Sequence, residues 1–290
     1  MADKERRFLD KSWARAVESL DDVPNVFRQY FTDIMKGSGA FPYAVYLPPT
    51  RILKSKSNAK MICVTDGRLY VMEKSKRDVE LVSFNVADID YLEVGTVLLH
   101  SWVQFSGLSG GKPAKAKAEF NTVMEKLFKP IINAVRADAG ERTSDEQELG
   151  KFEYLKQLNF KFMNYARDSI KSGERVILTL YQPKIKSEFF RIFNFKLFRL
   201  VSVPHVFILT DREIIIIRDS DKFSRHDNYG GIWTYIPLGK FKGIELSPDE
   251  EKNILTFSLL LNSGDSIKVT YELDRRQEVE LLAAKLDSTT

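Results

Sequence analysis

The sequence predicts an α+β protein of two similar halves. Each half reads as a helix, then an antiparallel β-barrel or sandwich, then a closing C-terminal helix. Three observations predict this. Matching landmarks recur in the same order in both halves. Short β-branched and aromatic runs broken by Gly, Asn and Asp fill the middle of each half. Apolar residues spaced by three and four return at its ends.

The repeat is clearest at Val64-Thr65-Asp66-Gly67-Arg68-Leu69-Tyr70-Val71, which resembles Leu209-Thr210-Asp211-Arg212-Glu213-Ile214-Ile215-Ile216, 145 residues later. A second strand follows each, Leu81 to Phe84 and Thr234 to Pro237. Ile89 to Val94 then matches Phe241 to Leu246, and Ala116 to Phe120 matches Ile267 to Tyr271. Upstream, Tyr30, Asp33 and Lys36 fall opposite Tyr165, Asp168 and Lys171, 135 residues apart, and Pro49 falls opposite Pro183. The offset widens between Pro183 and Thr210, so the second half carries an insertion there. The domains read as 1–140 and 141–290, meeting at the small, polar Ala139-Gly140-Glu141-Arg142-Thr143-Ser144.

Element by element, 4–20 and 24–36 read as helices separated by Pro24. Trp13, Val17 and Leu20 form one apolar stripe, and Phe27, Tyr30, Phe31 and Ile34 another. Residues 144–171 read as one helix capped by Ser144, with Phe152, Leu155, Leu158, Phe162 and Tyr165 on its apolar face. Strands fill 41–120 and 175–271. Hairpin turns are expected at Gly107 to Pro113 and at Asn262-Ser263-Gly264-Asp265. The unbroken Ile214 to Ile217 predicts a strand covered on both faces. C-terminal helices are expected over Val123 to Val135 and Arg276 to Leu286. The first presents Val123, Leu127, Ile131 and Val135 with a kink at Pro130, and the second Val279, Leu282, Ala283 and Leu286.

Composition narrows the function. An apolar fraction of 43% with 29% charged residues is that of a globular chain with a sizeable core. The charge of +4 is small against 44 basic and 40 acidic residues, so nucleic acid is not the expected partner. The charged start, Asp3 to Arg7, lacks the apolar stretch of a signal peptide. Phe189 to Leu209, the most apolar run, is broken by Arg191, Lys196 and Arg199. A cytoplasmic, membrane-peripheral location is expected. Cys63, the single cysteine, lies in Met61-Ile62-Cys63-Val64 and reads as a buried, inert thiol.

No catalytic constellation emerges, and the chain reads as non-enzymatic, with neither cofactor nor metal. His100, His205 and His226 have no metal-ligand spacing. His100 lies in an apolar strand and reads as a core histidine. Asp21-Asp22 and Glu250-Glu251 read as a helix cap and a turn. Gly107, Gly110 and Gly111 lack the strand–loop–helix setting of a phosphate cradle.

The unusual segment is the insertion, residues 184–200. Lys184, Lys186, Arg191, Lys196 and Arg199 stand against one acid, Glu188, beside Phe189, Phe190, Phe193, Phe195 and Phe198. Aromatic rings with cations suit a membrane interface, where rings enter the acyl boundary and cations meet anionic headgroups. An anionic membrane surface or a protein partner is therefore the expected contact. A homo-oligomeric scaffold with this segment packed at an interface is the alternative, and an enzyme the third reading. Arg51, Lys54, Lys56 and Lys60 form a second basic patch.

A family resemblance bears on these readings. His205-Val206-Phe207-Ile208-Leu209-Thr210-Asp211-Arg212-Glu213-Ile214-Ile215-Ile216, followed by Ile236-Pro237-Leu238-Gly239-Lys240-Phe241-Lys242-Gly243-Ile244-Glu245, resembles the bacterial pleckstrin-homology-like domains. Lys60 to Tyr70 resembles the same signature. The resemblance spans 42–136 and 175–287. It implies an antiparallel barrel or sandwich closed by a C-terminal helix, and a binding scaffold rather than an enzyme. Phosphoinositide-binding members carry a basic first strand and loop ending in Arg. Lys54-Ser55-Lys56 and Lys184-Ile185-Lys186 occupy that region, without the Lys-or-Arg, any residue, Arg ending.

Overall fold

The computed structural model describes residues 13–36, 41–52, 55–137, 145–192, 195–220 and 230–288. The chain divides into two compact units, Met1–Ala139 and Gly140–Thr290.

The first unit begins with β1 (Arg15–Val17) and helix α1 (Asn25–Lys36), which starts just after Pro24 and buries Phe27, Phe31 and Ile34 at spacings of four and three. Strands β2 (Tyr43–Leu47), β5 (Lys60–Thr65), β6 (Arg68–Lys74) and β7 (Val79–Asn85) continue the sheet in the order β1-β2-β5-β6-β7. Between β2 and β5 stands a separate two-stranded ribbon, β3 (Thr50–Ile52) with β4 (Ser55–Ser57). A 3-10 turn, Val86–Asp88, leads into a meander of β8 (Ile89–Val97), β9 (His100–Ser109) and β10 (Lys112–Asn121). Helix α2 (Lys129–Arg136) ends the unit, buries Ile131 and Val135, and lies against β5 and β8. Met61, Ile62 and Cys63 are all fully buried, because β5 is covered on both faces. The side of Met61 and Cys63 packs with Phe27 and Phe31 of α1.

The second unit runs through the same succession. Helices α3 (Glu146–Gly150), α4 (Leu155–Leu158) and α5 (Phe160–Ser169) come first. Strands β11 (Val176–Gln182), β14 (His205–Thr210), β15 (Glu213–Arg218) and β16 (Gly231–Pro237) then pair in that order, with α5 against β14 and β15. The ribbon between β11 and β14 is β12 (Ile185–Ile192) with β13 (Phe195–Ser202). Strands β17 (Phe241–Asp249), β18 (Ile254–Leu261) and β19 (Ser266–Glu272) form the meander. Helix α6 (Arg276–Asp287) closes the unit, burying Val279, Leu282 and Leu286. Strand β15 is buried from Glu213 to Ile217, as its unbroken apolar run requires.

Several expectations are corrected. Among the described residues no sheet closes into a barrel. The chain leaves each first sheet through a 3-10 turn, Val86–Asp88 or Leu238–Lys240, which ends strand pairing at that corner. The helix expected over 4–20 gives way to a strand at Arg15–Val17. Its backbone pairs with β2 (Arg15↔Tyr46, Val17↔Ala44), and Val17 enters the core while Trp13 stays 37% exposed. Residues 4–12 lie outside the described residues. The single helix expected over 144–171 is three short ones. Asp145, not Ser144, caps the first by accepting from the Gln147 N–H at 2.9 Å, and Ser144 lies outside the described residues. Asn159 is extended (φ −163°) and caps α5 by accepting from the Phe162 N–H. Leu158, expected on the apolar face, is 58% exposed as a result. Pro130 kinks nothing. A 3-10 stretch, Thr122–Leu127, precedes α2, so the proline falls in the helix's first turn, where its missing N–H costs no bond. Val123 is left 61% exposed.

The turns follow glycine geometry where glycine is present. Gly110 (φ 58°) and Gly111 (φ 78°) close the β9–β10 hairpin between Ser109 and Lys112. The β5–β6 turn uses Asp66 and Gly67, both at positive φ. Its counterpart at 210–213 does without: the Thr210 hydroxyl accepts from the Glu213 N–H at 2.9 Å and the Arg212 N–H at 3.2 Å. Gly107 lies within β9, not in a turn. A Cβ there would come within 2.1 Å of the Asp88 carbonyl oxygen, so glycine admits the close crossing of β8.

Candidate functional site

The ribbon β12–β13 begins just after Pro183 and ends just before Val203-Pro204. Its register runs Ile185↔Ser202, Lys186↔Leu200, Ser187↔Arg199, Glu188↔Phe198, Phe190↔Leu197 and Arg191↔Lys196, with shifts at Ile185/Lys186 and Glu188/Phe190. Among the described residues it pairs with no further strand. Its base is anchored, with Ile185 3% and Val203 8% exposed. Further out the burial ends. Leu197 is 49% and Phe198 55% exposed, and Lys184, Lys186 and Arg199 are exposed. Phe198 is therefore not packed into a core. An isolated two-stranded hairpin is marginally stable in water, so one that displays apolar groups offers them outward.

The remaining predicted residues divide as follows. Phe189, Phe190, Arg191, Phe195 and Lys196 lie on the ribbon's strands, where the backbone alone is described. Phe193 lies outside the described residues. In the first unit, Arg51 and Lys56 face each other across the β3–β4 ladder, and Lys54 lies outside the described residues. The ribbons β3–β4 and β12–β13 occupy the same place in their units, so the second half does not insert a new element there. It lengthens a hairpin that both units have by ten residues. Lys60 is not part of a free basic patch. Its ammonium donates to the Lys117 carbonyl at 2.6 Å and pairs with Glu73 at 2.8 Å.

His100 is corrected from core to surface. It sits beside the β8–β9 turn, with its side chain 52% exposed, its Nε2 3.9 Å from Glu119 and its ring 5.4 Å from Trp102. His205 is the buried histidine. Its Nδ1 lies 3.1 Å from the Val203 carbonyl, so Nδ1 is the protonated nitrogen, and its ring meets Tyr271 edge-on at 5.1 Å. Among the described residues His205 Nε2 and Tyr271 Oη have no hydrogen-bond partner. Burial pushes the imidazole down to about 4 and the phenol well above its usual value, so neither group exchanges a proton near neutrality. Around them, Gln182 accepts from the Glu272 N–H at 3.2 Å. Arg275 donates to the Tyr181 carbonyl and grips Glu278 through Nε (2.8 Å) and Nη2 (2.6 Å). These contacts tie the start of α6 to β11. His226 lies outside the described residues.

A second buried polar cluster opens this unit. Glu174, 1% exposed, accepts from the Thr210 hydroxyl at 2.6 Å and the Lys171 N–H at 2.8 Å, while Lys171 Nζ lies 3.5 Å from Glu213. Burial, with Glu213 nearby, raises the Glu174 carboxyl above its usual range. Residues that share hydrogen bonds in this way pin the β14–β15 turn. Neither cluster was foreseen, since apolar runs hide the polar residues within them. Cys63 is fully buried, and desolvation pushes its thiol up to about 12. Among the described residues no group of three or more His, Cys, Asp or Glu is placed to hold a metal ion. Among them, too, no helix is long and apolar enough to cross a membrane.

No protein-family model matches the chain, and no curated protein matches it.

Proposed function

We propose that the chain is a non-enzymatic binding protein, made by duplication of a pleckstrin-homology-like domain, that docks on an anionic membrane surface through the β12–β13 ribbon. The duplication is supported by the shared succession of elements: paired strands interrupted by a ribbon, a 3-10 turn, a three-stranded meander and a C-terminal helix. The same succession supports the pleckstrin-homology-like reading, with the sheets left open rather than closed into a barrel.

One observation carries the docking reading. The ribbon pairs with no other strand among the described residues, and it exposes Leu197 and Phe198 beside Lys184, Lys186 and Arg199. Each cation near an anionic surface contributes about 1 kcal/mol. Reversing Lys186 and Arg199 to Glu removes about 2 kcal/mol and adds a comparable repulsion. Cosedimentation with phosphatidylserine-containing vesicles should then fall by about a hundredfold or more. The melting temperature should barely move, because exposed charges contribute little to folding. Undiminished binding by the double variant would reject the ribbon as the docking element. The open edges of the same ribbon favour a second reading, strand pairing between copies of the chain. Light scattering tests it: a dimer lost on Phe198→Asp would support self-association instead.

A further inference from the structure

The β8–β9 hairpin turns in two residues, Leu98-Leu99, between Val97 and His100, which face each other across the ladder. Leu98 has φ of 55°, the left-handed region where a Cβ is crowded and glycine is the usual occupant. Both leucines point outward, 51% and 69% exposed. Neither turn chemistry nor core packing accounts for leucine at these positions.

The turn is held in place from one side. The Thr122 N–H donates to the Leu99 carbonyl at 3.1 Å, and the Thr122 hydroxyl donates to the Leu98 carbonyl at 2.9 Å. Ser101 Oγ lies 2.9 Å from that hydroxyl and donates to Thr96 Oγ1 at 3.1 Å. This hydroxyl network brings Val123, 61% exposed, next to the turn. Residues three apart eclipse in a 3-10 helix, so in Thr122–Leu127 Lys126 lies on the same side as Val123. Lys126 and Lys129 are exposed, and Glu125, just before them, is half-buried.

From this geometry we infer that Leu98, Leu99 and Val123 form a wedge that enters the acyl boundary of a lipid bilayer, with Lys126 and Lys129 against anionic headgroups. The occupant is lipid rather than a protein pocket for two reasons. The tip is convex and purely aliphatic, whereas protein hot spots favour Trp, Tyr and Arg and disfavour Leu. Its rim carries exposed cations, which complement an anionic surface. Strain at Leu98 is retained because an outward apolar side chain is needed where glycine would suit the backbone better. The wedge belongs to the first unit and stands independently of the β12–β13 ribbon.

Two variants test it. Leu98→Gly with Leu99→Ser relieves the backbone strain while removing the apolar tip. Its melting temperature should equal or exceed that of the unaltered protein. Its partition onto vesicles of equal parts phosphatidylcholine and phosphatidylserine should fall about tenfold or more. Lys126→Glu with Lys129→Glu should weaken partition on those vesicles by a similar factor, and its difference from the unaltered protein should shrink in high salt and on phosphatidylcholine alone. A ribbon variant, Phe198→Ser with Arg199→Glu, is measured beside them. A weakened tip variant supports the wedge whether or not the ribbon variant also loses binding. A tip variant that is folded and partitions as the unaltered protein does overturns the wedge and leaves the ribbon reading untouched. Loss of a protein partner by a tip variant that still partitions normally likewise overturns it.

Discussion

Acid should destabilise the second unit through His205. In the unfolded chain this imidazole takes a proton near pH 6.5, whereas in the folded protein it is 3% exposed and holds off protonation until about pH 4. Burial is the main cause; the contact with the Val203 carbonyl opposes it, and the nearby Arg275 and Arg218 add a smaller repulsion. Between those values the unfolded state binds the extra proton. The stability this neutral histidine contributes is therefore complete above pH 6.5 and is lost as pH falls towards 4. A gap of about two and a half pKa units corresponds to a loss on the order of 3 kcal/mol by pH 4, and about 2 kcal/mol by pH 5. Glu174, whose carboxyl is raised, pulls the other way, since the folded state then holds its proton more readily in acid. The comparison is therefore made against His205→Gln, in which Glu174 is unchanged. Urea unfolding at pH 7.5 and pH 5 is the assay. The unaltered protein should lose about 2 kcal/mol more than the variant between the two conditions. Equal losses in both proteins would refute the reasoning and mean that the imidazole is protonated without disturbing the fold.

Two further perturbations follow from packing. Leu282→Ala should lower stability by about 2–5 kcal/mol in urea unfolding, since Leu282 is fully buried on the inner face of α6; an unchanged midpoint would mean that the helix is peripheral. Gly107→Ala should also destabilise, because its Cβ would meet the backbone of Asp88 and Ile89 at 2.1 and 2.7 Å, whereas Gly110→Asn, in open space at positive φ, should shift the melting temperature little; similar effects of the two would argue against a tight β8–β9 crossing.

Local chemistry determined much of this protein. The α+β class, the two-glycine turn at Gly110-Gly111, the buried Ile214 to Ile217 strand and the closing helix with Val279, Leu282 and Leu286 inward all follow from side-chain period and turn residues, which act over a few positions. The ribbon was legible as a basic, phenylalanine-rich segment, but its exposure was not, because composition does not say whether a neighbour covers Phe198. Other features needed the folded chain. Arg15–Val17 carries a helical stripe, yet it pairs with β2, because long-range strand pairing and burial of Val17 outweigh a weak local preference. Pro130 reads as a kink, and only the position where α2 begins makes it a helix start. His100 and His205 both sit at the start of strands with apolar neighbours; one is surface and the other core because burial depends on which element packs over the strand end. The Leu98-Leu99 tip was hidden for the same reason. Nothing in the strands expected over 41–120 marks Leu98-Leu99 as a turn, and only the register that puts Val97 opposite His100 makes them one. Sequence period sets which residues share a face, but tertiary pairing decides which face meets water.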